Sequence, residues 1–292
     1  MVSFQKWRRS ESAQGLFLIS PTLGFVLLLL AVPLIMVAAL SFWTQDYLTL
    51  DRTFTTANYV TAWTEPMYQY LMARSLKISI FVTAATVFLA YPVAYFISFY
   101  VAPKRKAMWI FLITIPFWTS YLMRIFLWKV ILGYNGVING SLTGLGIIDE
   151  PLSFILYNQN AVVLTLAHAW VPFAILPIFV ALERVDRSLI EAAEDLGDSR
   201  LRRFLRVTLP LSMPGVIAAT IIVFIPTIGD YVTPRLVGGP NGLMISNMIE
   251  MQFKKANNAP LGAALAISAM GIVTFFALVF LWVNRKYVKG PS

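Results

Sequence analysis

Residues 183–213, ERVDRSLIEAAEDLGDSRLRRFLRVTLPLSM, gather six acids and six bases in a chain of which only 13% is charged. The types and spacing here suit docking rather than catalysis. Ser188 followed by Glu191 has the S-x-x-E pattern of a capping box, which predicts a short helix from about Leu189. Leu189, Ala193 and Leu196 recur at helical spacing and give it a narrow apolar edge. Gly197 follows where a left-handed C-cap stops a helix. Asp198 or Ser199 can cap a second helix, in which Leu201, Phe204 and Leu205 form a stripe, and Pro210 and Pro214 mark the return to apolar sequence. Two short amphipathic helices meeting at a glycine make an angled knob. Arg200, Arg202, Arg203 and Arg206 suit anionic lipid headgroups. Glu191, Glu194, Asp195 and Asp198 are repelled by such a surface, whereas a groove in a partner protein accepts both signs.

Three ionisable residues lie inside apolar runs, where a charge costs at least ~2.5–3.5 kcal/mol and marks a candidate site: Arg124, Lys129 and Asp230. Asp230 stands between Pro226 and Pro234, where a broken helix can line a cavity. A carboxylate there attracts an ammonium group, and Tyr231, with Trp118 or Tyr121, can add cation–π contact. The competing reading is an ion pair of Asp230 with Arg124 or Arg235 that holds helices in register. Arg124 and Lys129 repel a cationic solute, so they suit structural pairing or carbonyl contacts, and Lys129 can also snorkel. Enzyme chemistry finds no support: there is no G-x-x-x-x-G-K-[ST], H-E-x-x-H or G-x-S-x-G pattern. With no Cys, the single His168 cannot build a metal site or triad alone, and a hydrogen bond between packed helices suits it. Gly238–Gly242 reads as a turn.

The elements that position these residues follow from composition. The 292 residues are 58% hydrophobic, against ~45–50% apolar and ~25% charged for soluble domains, so the chain is a membrane protein. A crossing helix takes roughly 20 apolar residues, and six stretches qualify, at about 16–42, 75–101, 107–132, 160–182, 214–236 and 261–283. The first is too long for a secretory signal and reads as a retained helix. The expected organisation is all-α: one transmembrane domain over 1–292, an N-terminal segment 1–15, the loop 183–213 and a tail 284–292. Lys and Arg favour the cytoplasmic side. The two terminal segments, residues 104–106 and the 183–213 loop hold 15 of the 23 Lys and Arg residues, against six on the opposite side, which predicts that both termini are cytoplasmic. The net charge of +9 then marks the face toward anionic lipid. Split among four short segments, it does not point to nucleic acid. Trp43, Tyr47, Trp63, Tyr68 and Tyr70 read as an interfacial belt or a platform for a partner.

Glu191-Ala192-Ala193, three residues, Gly197, nine residues, then Val207-Thr208-Leu209-Pro210 resembles the EAA signature of ATP-binding-cassette importer permeases, with Val207 for the usual Ile as its one departure. The similarity runs along nearly the whole chain. Tyr91-Pro92-Val93-Ala94-Tyr95-Phe96, Pro116-Phe117-Trp118-Thr119-Ser120, and Gly229-Asp230-Tyr231-Val232-Thr233-Pro234 with Gly238-Gly239 resemble the spermidine/putrescine type within that family. The resemblance implies a type I importer permease fold and a pore-forming subunit in a bacterial inner membrane, surrounded by lipid. It implies that Glu191, Ala192, Ala193, Gly197, Leu209 and Pro210 belong to a coupling segment, with its helix at about 189–205. It also implies partners: two cytoplasmic ATPase subunits, which bind the ATP and Mg, a second permease subunit, and a periplasmic solute-binding protein. The implied cargo is a polyamine or related cation; an opine or amino-acid derivative, or a self-contained secondary transporter, are the other readings.

Overall fold

In hydrocarbon an unpaired amide has no partner, so an apolar chain of this kind satisfies its backbone within helices. The computed structural model describes residues 11–47 and 49–288, and these are mainly helices with short connections. Helix α1 (Glu11–Leu40) leads to an antiparallel hairpin, β1 (Thr44–Asp46) and β2 (Thr49–Asp51), with Thr44 opposite Asp51. Then come α2 (Ala57–Thr64), α3 (Pro66–Tyr100), α4 (Pro103–Thr114), a 3-10 turn (Ile115–Trp118), α5 (Tyr121–Leu132) and α6 (Val137–Gly144). After a second 3-10 turn, α7 (Gln159–Glu183) precedes α8 (Arg187–Asp195), α9 (Arg200–Arg203) and a π turn (Phe204–Thr208). The remainder is α10 (Leu209–Gly229), α11 (Val232–Val237), α12 (Gly239–Gly242), α13 (Ile245–Lys254), α14 (Ala259–Val283) and α15 (Arg285–Val288).

Among the described residues, six apolar helical segments are long enough to cross a bilayer: Phe17–Leu40, Pro66–Tyr100, Tyr121–Gly144, Gln159–Glu183, Arg200–Gly229 and Ala259–Val283. The number agrees with the six stretches expected, but several bounds differ. The first helix already begins at Glu11, inside the expected 1–15 segment, whose residues 1–10 lie outside the described ones. The second begins at Pro66 rather than near 75, because proline suits a first helical turn, where its missing N–H is not needed. The stretch at 107–132 is broken into α4 and α5. The fifth helix stops at Gly229, short of the expected 236. Helices α2, α6 and α13 and the small hairpin are additions to the expected spans. Gly238–Gly242, expected as a turn, includes the one-turn helix α12, pinned by Arg74, which donates to the carbonyls of Pro240 (3.3 Å) and Leu243 (3.2 Å).

The core lies where α3, α7 and α10 meet. Ile78, Val82, Ala90 and Ala94 interlock with Leu166, Ile175, Ile178 and Leu182 and with Ala219 and Val223, all buried. Gly215 brings the α10 backbone onto α7: a Cβ built there would stand 2.5 Å from Ala181 Cβ and 3.0 Å from Ile178 Cα. A second cluster, with Leu71, Met72, Phe224, Ile228, Ile245 and Leu265, ties α3, α10, α13 and α14 together. The apolar window of α1 buries none of its residues, which suits a lipid-facing helix. His168 accepts from Trp128 Nε1 at 3.1 Å, linking α5 to α7 as expected of it.

Candidate functional site

The 183–213 segment forms an elbow at one end of the molecule. Its first arm, α8, starts two residues earlier than expected, because Asp186 rather than Ser188 caps it: the Asp186 carboxylate accepts the Ser188 backbone N–H at 2.9 Å. That bond holds the Asp186 carboxyl below the usual carboxylate range. The cap is therefore complete at neutral pH and weakens only as pH falls through the lowered value. Gly197 ends α8 at φ +82°. The Gly197 N–H donates to Glu194 O (2.8 Å) and the Asp198 N–H to Ala193 O (3.0 Å), the paired bonds of a Schellman stop. Ser199 caps the second arm. That arm is not a separate helix, as Pro210 and Pro214 had suggested. It continues through the π turn into α10, so Arg200–Gly229 is one helical run. The turn widens just before Pro210, which has no N–H to return to the Arg206 carbonyl.

The bend is braced from within. Arg203 pairs with Glu194, and Arg206 with Asp198 at 3.3 Å. Phe204 sets its ring against Tyr91 and Tyr95, at 5.6 and 6.1 Å between centroids, so one member of the second arm's stripe turns inward. Leu189, Leu196, Leu201 and Leu205 stay exposed, Leu196 at 87%. Ala193 is buried, while Glu191 and Ala192 face outward. Leu209 and Pro210 lie half-buried at the root of the run.

Asp230 lies in the break between α10 and α11. Its Oδ1 accepts the backbone N–H groups of Val232 (2.9 Å) and Thr233 (3.3 Å), which starts the next helix. Its Oδ2 accepts the Tyr121 hydroxyl at 2.5 Å, and that hydroxyl also meets Thr233 Oγ1 at 2.8 Å. The expected alternative of an ion pair is not what forms. Arg235 pairs instead with Glu250 at 3.0 Å. Arg124 donates to the carbonyls of Pro116 and Thr119 and lies over the Phe117 ring at 5.2 Å, satisfying the chain where α4 gives way to α5. Of the four candidate pathway residues, Asp230 and Tyr121 are joined directly. Tyr231 is 40% exposed beside them, and Trp118, on the 3-10 turn, is 80% exposed with no ring contact or hydrogen bond to Asp230. Three of the carboxylate's roughly four acceptor positions are engaged, leaving one for a further donor.

A family profile, described as binding-protein-dependent transport system inner membrane component, matches residues 14–289. This chain belongs to that family. Among its relatives is the spermidine/putrescine transport system permease protein PotB of Escherichia coli, 34% identical over 91% of this chain and 96% of that one. The protein of that name from Haemophilus influenzae is 34% identical over 90% and 91% of the two chains. The inner membrane ABC transporter permease protein YdcU of Escherichia coli is 33% identical over 90% of each. The fold matches a chain of a bacterial ABC transporter involved in the import of the acidic polysaccharide alginate, with TM-score 0.70 at 16% identity, covering 99% of this chain and all of that one. A chain of the alginate transporter in complex with a pentasaccharide-bound periplasmic protein gives TM-score 0.72, again at 16% identity, covering 98% and 100%. The protein is thus a multi-pass component of an inner membrane transport system, and its fold is that of the importer permeases.

Of the five aromatic residues expected as an interfacial belt or partner platform, Trp43 is half-buried, with Arg52 5.4 Å from its ring centroid. Tyr47, Trp63 and Tyr70 are exposed, but Tyr68 accepts from Gln252 at 3.2 Å and packs into the second cluster. Lys129 is exposed, as snorkelling requires. Ser246 and Asn247, which no motif in the sequence singles out, support the Asp230 break together with Thr233. Ser246 Oγ donates to Asp230 O, and Asn247 Nδ2 donates to Tyr231 O, each at 2.7 Å. Asp230 is itself a favoured N-cap residue type, a helix-start signal that could have located the break.

Proposed function

We propose that the chain is a membrane-spanning, pore-forming subunit of an ATP-driven importer for polyamines such as spermidine and putrescine. The elbow docks on a cytoplasmic ATPase, so both termini face the cytoplasm. Two ATPase subunits bind ATP and Mg, a second permease subunit completes the pore, and a periplasmic solute-binding protein delivers the cargo. The observation that carries the reading is the elbow: a capped, cross-braced bend that presents Glu191 and four exposed leucines away from its own chain. A bend held in this way transmits a rigid-body movement, whereas a pliant loop absorbs it. The polyamine assignment draws on the names of the PotB relatives and on the chemistry of Asp230, a carboxylate without an ion-pair partner among the described residues, beside two tyrosines.

The test is uptake of labelled spermidine by proteoliposomes that carry this chain and its co-expressed neighbours, with ATP inside and the binding protein outside. Uptake that requires all of these supports the reading; transport by the chain alone on an ion gradient overturns it. Asp230 is tested in the same assay. Asp230→Asn keeps an oxygen for the Val232 N–H but removes the charge. It is expected to slow uptake about tenfold, the size of one lost charged hydrogen bond of ~1.5 kcal/mol, with assembly unchanged. Asp230→Ala loses the helix start as well, at a further cost of about 1 kcal/mol in stability. Wild-type uptake by Asp230→Asn would leave Asp230 as a helix cap alone.

A further inference from the structure

A polar node ties the first arm of the elbow to the bundle, and none of the family-like motifs contains it. Glu183, the last residue of α7, accepts Lys106 Nζ at 2.6 Å and Ser98 Oγ at 2.6 Å. Arg187, in the first turn of α8, donates to the Ser98 carbonyl at 2.8 Å and lies over the Phe99 ring at 5.0 Å. Four segments therefore meet here: the ends of α3 and α7, the start of α4 and the first arm of the elbow. Lys106 is well shielded, with 12% of its side chain exposed. It joins α4 to the bundle by a charged contact, alongside the half-buried Ile110 and Ile113, which pack on the first cluster; α4 has no fully buried residue.

We infer that Glu183 is a positioning residue, whose bonds to Lys106 and Ser98, with Arg187 clamped on the same turn, make the elbow and the ends of α3, α4 and α7 move as one body. Movement of the elbow then reaches α4, and through it the break at Pro116–Ser120, without loss in the connection between α7 and α8. A network of this kind responds as a unit, so removing either charged partner releases both.

The chain contains no cysteine, so two spin labels can be placed without background, at Leu196→Cys on the elbow and Tyr100→Cys at the end of α3; both sites are exposed. In the full chain with its partner subunits, the label distance is expected to be narrowly distributed. Glu183→Gln and Lys106→Met should each broaden it, and the double variant should broaden it no further. In the uptake assay, which rests on the function proposed above, Glu183→Gln should retain ATP hydrolysis while uptake per ATP falls about fivefold. The distance measurement does not depend on that reading. A wild-type distribution in both single variants, or broadening that adds in the double variant, would overturn the inference.

Discussion

Glu191→Lys is expected to reduce ATP-driven uptake at least a hundredfold while the variant accumulates in the membrane at the wild-type level. The two halves of this expectation have different grounds. Glu191 is exposed and has no hydrogen bond or ion pair among the described residues, and surface changes of that kind shift stability by about 0.5 kcal/mol or less. A reversed charge at an interface costs several kcal/mol through like-charge contact, which is two or more factors of ten. Loss of uptake without loss of protein therefore reports a partner at this surface. Gly197→Pro should act by another route. Proline holds φ near −65°, against +82° here, and it removes the N–H that bonds Glu194 O, so the bend itself is lost. Uptake, immunoblotting of membranes and co-purification of the ATPase distinguish the cases. Wild-type uptake by both variants would exclude the elbow as the docking element.

Gly215→Leu is expected to cost the protein its fold. Even a Cβ at this position collides with α7 at Ala181 and Ile178, so α7 and α10 must separate across the packed core that joins them to α3. Inserting volume into a tight core costs about 1–3 kcal/mol, and close helix approach in membranes relies on small residues. Gly215→Ala should lower Tm, and Gly215→Leu should leave little monodisperse protein after size exclusion. Gly271 provides the control: nothing lies within 4 Å of a Cβ built there. Gly271→Ala in the middle of α14 should be neutral, or stabilising by up to about 1 kcal/mol from helix propensity. A Gly215→Leu chain as stable as that control would refute the close contact.

The number of crossings and the glycine stop were legible in the sequence because each rests on local physics: length of apolar run, and a backbone angle that favours glycine. The break in the third stretch was not. Prolines at 21, 33, 92, 172, 177 and 214 lie inside unbroken helices, so Pro116 alone could not announce it. What differs there is the Arg124 guanidinium, which supplies donors to the carbonyls of Pro116 and Thr119, a relation that exists only after folding. Asp186 and Ser188 both had the chemistry of a cap, and where the helix began decided between them. Asp230 was legible as a candidate, but its bond to Tyr121 spans 109 positions. Glu183 and Lys106, 77 positions apart, offered no local signal at all.

The widened turn at Phe204–Thr208 lets the Arg200–Gly229 run carry one extra residue without changing where the knob points. Each residue in a regular helix advances the azimuth by about 100°, and a π turn stores one residue out of phase. Deleting one residue within the turn would restore regular winding and leave the arm's direction nearly unchanged, whereas deleting one residue elsewhere in the run would rotate the first arm by about 100°, taking Phe204 off its two tyrosines. Surface segments commonly accept small changes in length; along this run, residue count outside the widened turn acts as a compass setting.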